Sequence, residues 1–325
     1  MKRSDLIWTL VGLGAVLLSC YLLYHEVRNI SLHEIADSLK AIPHLNWLLA
    51  AGATIGAYWA LAWYDRIALS HLGKHIPWRF ISLCSFTTYA LAHNIGASVF
   101  SGALVRYRAY STKGLTPQEI GLLIFFCSFT FALGGILSGG CVLLFQPDLI
   151  HRLANVSPLL SQVIGSLMLL FVALYILGSW RQFKPWSWGK LYIEYPRLKV
   201  VVRQLVTGPL ELACAAAIIY FALPQETNPG YIVVFGVFLA SFSLALLSHA
   251  PGGLGVLEVT FLAAMPDIPT SDVLAALIVF RFFYLLLPFA LSLLVVIGFE
   301  WSQWQTRKAA AAGPLAAQDS QDKRD

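Results

Sequence analysis

Apolar residues fall in long runs along this chain, and short polar connectors separate them. A helix needs about 20 such residues to cross a hydrocarbon core. Six runs meet that length: 6–24, 45–69, 120–145, 159–180, 205–223 and 273–299. Two further runs, 81–105 and 231–265, are as apolar but broken, the first by HNIGAS and the second by SHAPGG. The pattern predicts an all-α polytopic membrane protein with about six full spans and two re-entrant or broken helical segments. It forms one transmembrane domain over residues 1–305. The tail 306–325, rich in Ala, Gln, Asp and Lys, has too little apolar surface to fold and reads as a disordered cytoplasmic end.

Composition agrees with this reading. The 325 residues are 58% hydrophobic and only 12% charged, with a mean hydropathy of +0.70; soluble domains carry about 25% charged residues. The run 6–24 is longer than a signal-peptide core and ends without a small-residue cleavage step, so it reads as a retained helix. The five cysteines lie in or beside apolar runs and form no C-x-x-C pair, which argues against disulfides and zinc. The net charge of +5 is scattered over short connectors, so it reports topology and not nucleic-acid binding.

Basic residues mark the cytoplasmic side. Lys2 and Arg3 place the N-terminus inside, and Arg307 and Lys308 do the same for the C-terminus. The connector 181–203 is strongly basic and inside, which its topology alone explains. The acidic connectors 224–230 and 266–272 are outside, and SLHEIADSLKAI reads as a short amphipathic stretch on the outer interface. Both flanks of 81–105 are basic and both flanks of 231–265 are not. One broken segment therefore dips from the inside and the other from the outside. Each stands between two full spans, so 45–145 and 205–300 read as inverted repeats whose breaks meet near mid-depth and build a site. AHNIGA and SHAPGG share the letters H-x-x-G.

The breaks have a chemistry. Pro251 removes an amide hydrogen, and Gly252, Gly253 and Gly255 let the chain reverse. Freed backbone groups cannot face lipid, and the helix restarting near Gly255 offers its amides to an anion. Arg281, Glu258, Glu211 and Arg106 are ionisable groups within the apolar runs, where charges face a partner or a wet cavity. Glu258 and Arg281 adjoin, as a closed ion pair or as part of a site in which Arg281 and Arg106 hold a phosphate. Glu211 and Arg106 can alternatively snorkel to the interface. Tyr107 and Tyr110 read as interface anchors, and His93 and His249 as buried, satisfied histidines, with titration beside a substrate as the alternative.

At these positions the chain resembles a known family. P-G-G-L-G-x-x-E (Pro251 to Glu258) followed by R-x-x-Y-x-x-x-P (Arg281, Tyr284, Pro288) is similar to the transmembrane region of lysylphosphatidylglycerol synthases, the multiple peptide resistance factor proteins. The N-x-G and S-G-x-x-x-R of Asn94, Gly96, Ser101, Gly102 and Arg106 match the other half of that pattern in part. The resemblance implies a flippase-like membrane module and a substrate site that includes Asn94, Gly96, Arg106, Pro251, Gly252, Gly253, Gly255, Glu258, Arg281 and Tyr284. Only the tail from Arg307 follows the last span, so the resemblance implies translocation without synthesis, as in stand-alone inner-membrane members.

The expected function is translocation of an anionic or aminoacylated phospholipid. A small-solute or ion transporter and a non-catalytic membrane-organising or partner subunit remain as alternatives. An enzyme is disfavoured: the chain has no H-E-x-x-H pair and no G-x-S-x-G elbow, so no catalytic residue, metal or cofactor is assigned. The expected partners are membrane phospholipids and no nucleic acid, with room for further copies of this chain and for a separate lipid-modifying enzyme.

Overall fold

The computed structural model describes residues 32–95, 98–148, 157–182, 186–188, 191–193, 195–248, 253–302 and 305. The protein is an all-α polytopic membrane protein, and six helices of the described residues are long and apolar enough to cross a membrane. In chain order the helices are α1 (Leu32–Ala41), α2 (His44–His71), α3 (Trp78–Ile95), α4 (Ser98–Ser111), α5 (Pro117–Phe145), α6 (Pro158–Arg181), α7 (Leu198–Ala222), α8 (Tyr231–Ser248), α9 (Val256–Ala264) and α10 (Thr270–Ser302). A π-helical turn, Arg281–Leu286, interrupts α10.

Five of the expected spans are α2, α5, α6, α7 and α10. The sixth apolar helix is not 6–24, which lies outside the described residues together with the tail 306–325. It is α8, expected only as the limb of a broken segment. The reason is where the break falls: α8 completes 18 residues at Ser248, the first residue of SHAPGG, about 27 Å at ~1.5 Å per residue. The returning helix α9 has nine residues, about half that reach. The basic connector 181–203 holds a feature that periodicity did not signal, a two-stranded antiparallel hairpin pairing Trp186–Trp188 with Leu191–Ile193.

Helix starts follow local chemistry. Thr116 accepts from the Glu119 amide, the Glu119 carboxylate accepts from the Thr116 amide, and Pro117 opens α5 where no amide donor is needed. Ser157 and Pro158 start α6 in a similar way. The amphipathic α1 buries Ile35 and lies against the first half of α10, so it packs as part of the bundle.

Small residues let the helices approach. Helices α2 and α7 form the central seam, with Ala57, Leu61, Leu212, Ala215 and Ile219 buried. Where α5 crosses α7, a Cβ on Gly134 would lie 2.5 Å from the backbone carbon of Gly208, so only two glycines permit the crossing. Helices α3 and α4 fold into an antiparallel hairpin. A Cβ on Gly102 would meet Thr88 and Ala92, the Arg106 guanidinium covers the Tyr89 ring, and the Tyr110 ring meets Phe80. The segment 81–105 thus folds back on itself.

Candidate functional site

The two breaks converge on the π-turn of α10. Its cause is in the sequence. Pro288 has no amide to donate to the Tyr284 carbonyl four residues earlier, and its ring crowds that carbonyl. The ladder shifts register, so the Leu287 amide bonds to the Phe282 carbonyl, the five-residue spacing of a π-helix. The Tyr284 and Leu285 carbonyls turn to other donors. Tyr58 of α2 donates its hydroxyl to the Tyr284 carbonyl at 3.0 Å. Asn94, at the end of the first limb, donates its side-chain amide to the Leu285 carbonyl at 3.1 Å and to the Ala90 carbonyl of its own helix at 2.8 Å.

The second break reaches the same turn by charge. Gly253 and Gly255 adopt positive φ of 64° and 78°, where a side chain would be strained. The Glu258 carboxylate folds back onto the N-terminus of α9 and accepts from the Gly255 amide at 2.9 Å. Its other oxygen accepts from Arg281 Nε at 2.6 Å, and Arg281 Nη2 reaches the Gly253 carbonyl at 3.5 Å. One carboxylate therefore caps the re-entrant helix and anchors it to the π-turn. Glu258 and Arg281 are the adjoining partners that the sequence suggested.

Tyr284 carries the site inward. Its hydroxyl donates to Glu211 Oε1 of α7, and its ring stacks on His93 at 5.2 Å between centroids. Tyr58, Glu211 and Tyr284 lie near the middles of α2, α7 and α10, and His93 lies at the tip of the hairpin. Glu211 Oε2 and His93 Nδ1 are buried with no hydrogen-bond partner. Two expectations change here. Glu211 is fully buried and does not snorkel, and His93 is not satisfied.

Arg106 stands apart from the turn. It forms a fork on Asp65 of α2, with Nη2 to Oδ1 at 2.7 Å and Nε to Oδ2 at 3.3 Å. Tyr110 donates to the same carboxylate at 2.8 Å, and the Cys127 thiol lies 3.4 Å from it. The side chain is buried, so Arg106 neither snorkels nor offers its fork beside Arg281. Tyr110 is buried rather than an anchor, whereas Tyr107 is exposed as expected. Of the other expected site residues, Gly96, Pro251 and Gly252 lie outside the described residues, as does His249.

Sequence reasoning missed Asp65 and Tyr58. Asp65 had a signal, as the single acid inside the run 45–69, but its neighbour Arg66 made it look like the end of a span. Tyr58 had none, because its role depends on a carbonyl that Pro288 frees far along the chain. Among the described residues no group of His, Cys, Asp or Glu is placed to hold a metal ion.

A groove lies between the α3–α4 hairpin and the far end of α10. It encloses about 430 Å³ and is lined by apolar side chains such as Phe80, Leu83, Val105 and Val296. Arg108 and Glu300 line it too and pair at 2.7 Å.

The family model for the lysylphosphatidylglycerol synthase TM region matches residues 9–292, and the chain belongs to that family. It is 25% identical over 304 residues to the uncharacterized protein slr0712 of Synechocystis, with 93% of this chain and 94% of that one covered. It is 28% identical over 307 residues to the inner membrane protein YbhN of Escherichia coli K12, covering 92% and 93%. It is 26% identical over 299 residues to the phosphatidylglycerol lysyltransferase of Staphylococcus haemolyticus, where the match covers 84% of this chain and 32% of that protein.

Proposed function

We propose that this protein is a phospholipid translocase of the inner membrane and not an enzyme. The observation that carries the reading is the convergence of both interrupted segments on one π-helical turn near the middle of the membrane helices. Interrupted helices whose polar backbone points inward are the ordinary means of building a transport site in a bilayer. The apolar groove favours a lipid over a hydrated solute. Its apolar walls suit acyl chains, and the Arg108 guanidinium at its edge suits a phosphate. The match to a phosphatidylglycerol lysyltransferase and to an inner membrane protein supports lipid as substrate and that membrane as location. The halves 45–145 and 205–300 then act as inverted repeats rocking about the turn.

The full chain, reconstituted in liposomes with fluorescent phospholipids, should move an anionic or aminoacylated lipid faster than empty liposomes do. Glu258→Gln and Arg281→Ala should slow that movement. If no phospholipid crosses faster than in empty liposomes, the reading fails.

A further inference from the structure

Three acids of the described residues are buried: Asp65, Glu211 and Glu258. Asp65 is paired with Arg106 and Glu258 with Arg281. Glu211 is different. Among the described residues no cation lies within ion-pair distance of it, and its one hydrogen bond is from the Tyr284 hydroxyl. An isolated carboxylate in an apolar interior costs several kcal/mol in its charged form. The cheapest counter-charge is a proton, and the unpartnered Oε2 is the atom that would take it.

We propose that Glu211, with Tyr284 and His93, is a proton-binding site that couples translocation to proton movement. Coupling rests on the transport reading above; the proton site does not. One proton adds to Glu211 Oε2, turning the carboxylate into a carboxylic acid, and the same proton leaves to restore the carboxylate. His93 Nδ1, behind the Tyr284 ring and also unpartnered, is the second buried base of the cluster. The groups that face Glu211 from neighbouring elements are Tyr58 and Tyr64 of α2 and Tyr284 of α10, with Cys214 on its own helix. None of them supplies a positive charge.

The geometry transmits the event. A hydroxyl bonds to a carboxylate about twice as strongly as to a neutral acceptor. Protonation of Glu211 therefore loosens its hold on Tyr284. Tyr284 belongs to the π-turn that takes Asn94 from one break and, through Arg281, Glu258 from the other. A proton at Glu211 thus acts on the one element that both interrupted segments grip.

Two measurements on the full chain in lipid test this. Difference infrared spectra between acid and neutral pH should show the carbonyl stretch of a buried carboxylic acid. That band should be lost in Glu211→Gln and kept in Glu258→Gln. A band indifferent to Glu211→Gln, or no band, overturns the site. In liposomes, an imposed proton gradient should speed phospholipid movement several-fold, and Glu211→Gln should abolish the response. Lipid movement that ignores the gradient overturns the coupling while leaving the translocase intact. If the wild type moves no lipid, the translocase reading and the coupling fail, and the infrared titration still decides the proton site. Should Glu211→Gln fail to fold, Tyr284→Phe must shift the titration of the band, and an unshifted titration overturns the proposal.

Discussion

Arg106 and Arg281 look alike in the sequence, each an arginine that adjoins or interrupts an apolar run. In the structure each meets one carboxylate, yet the two pairs do different work. The Asp65–Arg106 pair is sealed, with side chains 0% and 6% exposed, and Tyr110, Cys127 and the Tyr89 face complete its surroundings. It ties the returning limb of the hairpin to α2. The Glu258–Arg281 pair is more open, 10% and 16% exposed, and its members also hold the backbone of the second break. Burial of a charge pair is weak evidence of stabilisation, because desolvation opposes the attraction. What distinguishes the pairs is what depends on each: packing at the first, the shape of the break at the second.

The largest expected effect separates them. Asp65→Ala leaves a guanidinium buried without its counter-charge, which should cost about 3–5 kcal/mol of stability. Thermal unfolding in detergent measures it. Replacing both members, Asp65→Leu with Arg106→Met, should recover most of that loss and retain lipid movement, since the pair's role is to pack. A double variant that folds like wild type but moves no lipid would make Arg106 part of the site after all.

The same logic gives a different outcome at the break. Glu258→Gln keeps an oxygen for the Gly255 amide but loses the charge-assisted bond to Arg281, worth about 1.5–3 kcal/mol. Stability should fall by less than for Asp65→Ala, and lipid movement should fall by more. An apolar replacement of both Glu258 and Arg281 should restore stability without restoring movement. Full recovery of movement would reduce this pair to a structural clamp.

A smaller effect tests the turn that both breaks share. Tyr58→Phe leaves the Tyr284 carbonyl without a donor, at a cost of about 1–3 kcal/mol. Pro288→Ala supplies the missing amide and lets the ladder return to α-helical register. Adding it to Tyr58→Phe should therefore regain stability while lipid movement falls, because Asn94 and Arg281 are then presented at different angles. Unfolding curves of the two single variants and the double variant decide it.

Five of the spans and the adjoining Glu258 and Arg281 were legible in the sequence, because apolar run length and intramembrane charge are local signals. The connector hairpin was not, since its strands are three residues each and carry no period. The centre of the site was legible only in part. Pro288 stood in the motif, but its consequence is a freed carbonyl whose donor, Tyr58, lies 226 residues away in the chain. Asp65 shows the opposite failure: the charge was visible, and the adjacent arginine disguised its depth. The nature of an intramembrane charge, sealed or working, depends on neighbours from other helices, which a single sequence does not pair.

The smallest effect on stability falls at a third arginine pair, Arg108–Glu300, whose side chains are 52% and 45% exposed. Exposed pairs contribute about 0–1 kcal/mol, so Arg108→Gln should leave the unfolding temperature nearly unchanged. Its place on the apolar groove gives it another use. A lipid phosphate arriving there can take over the guanidinium from Glu300, since both partners are about half exposed. Arg108→Gln should therefore slow anionic lipids more than zwitterionic ones in the liposome assay. Raising the salt should narrow the gap in the wild type, since exposed charges are screened over about 10 Å at 0.1 M. Equal slowing of both lipid classes would place selection elsewhere, at the more buried Arg281. Across the three pairs exposure rises in step, and the cost of breaking each should fall while its openness to a ligand grows.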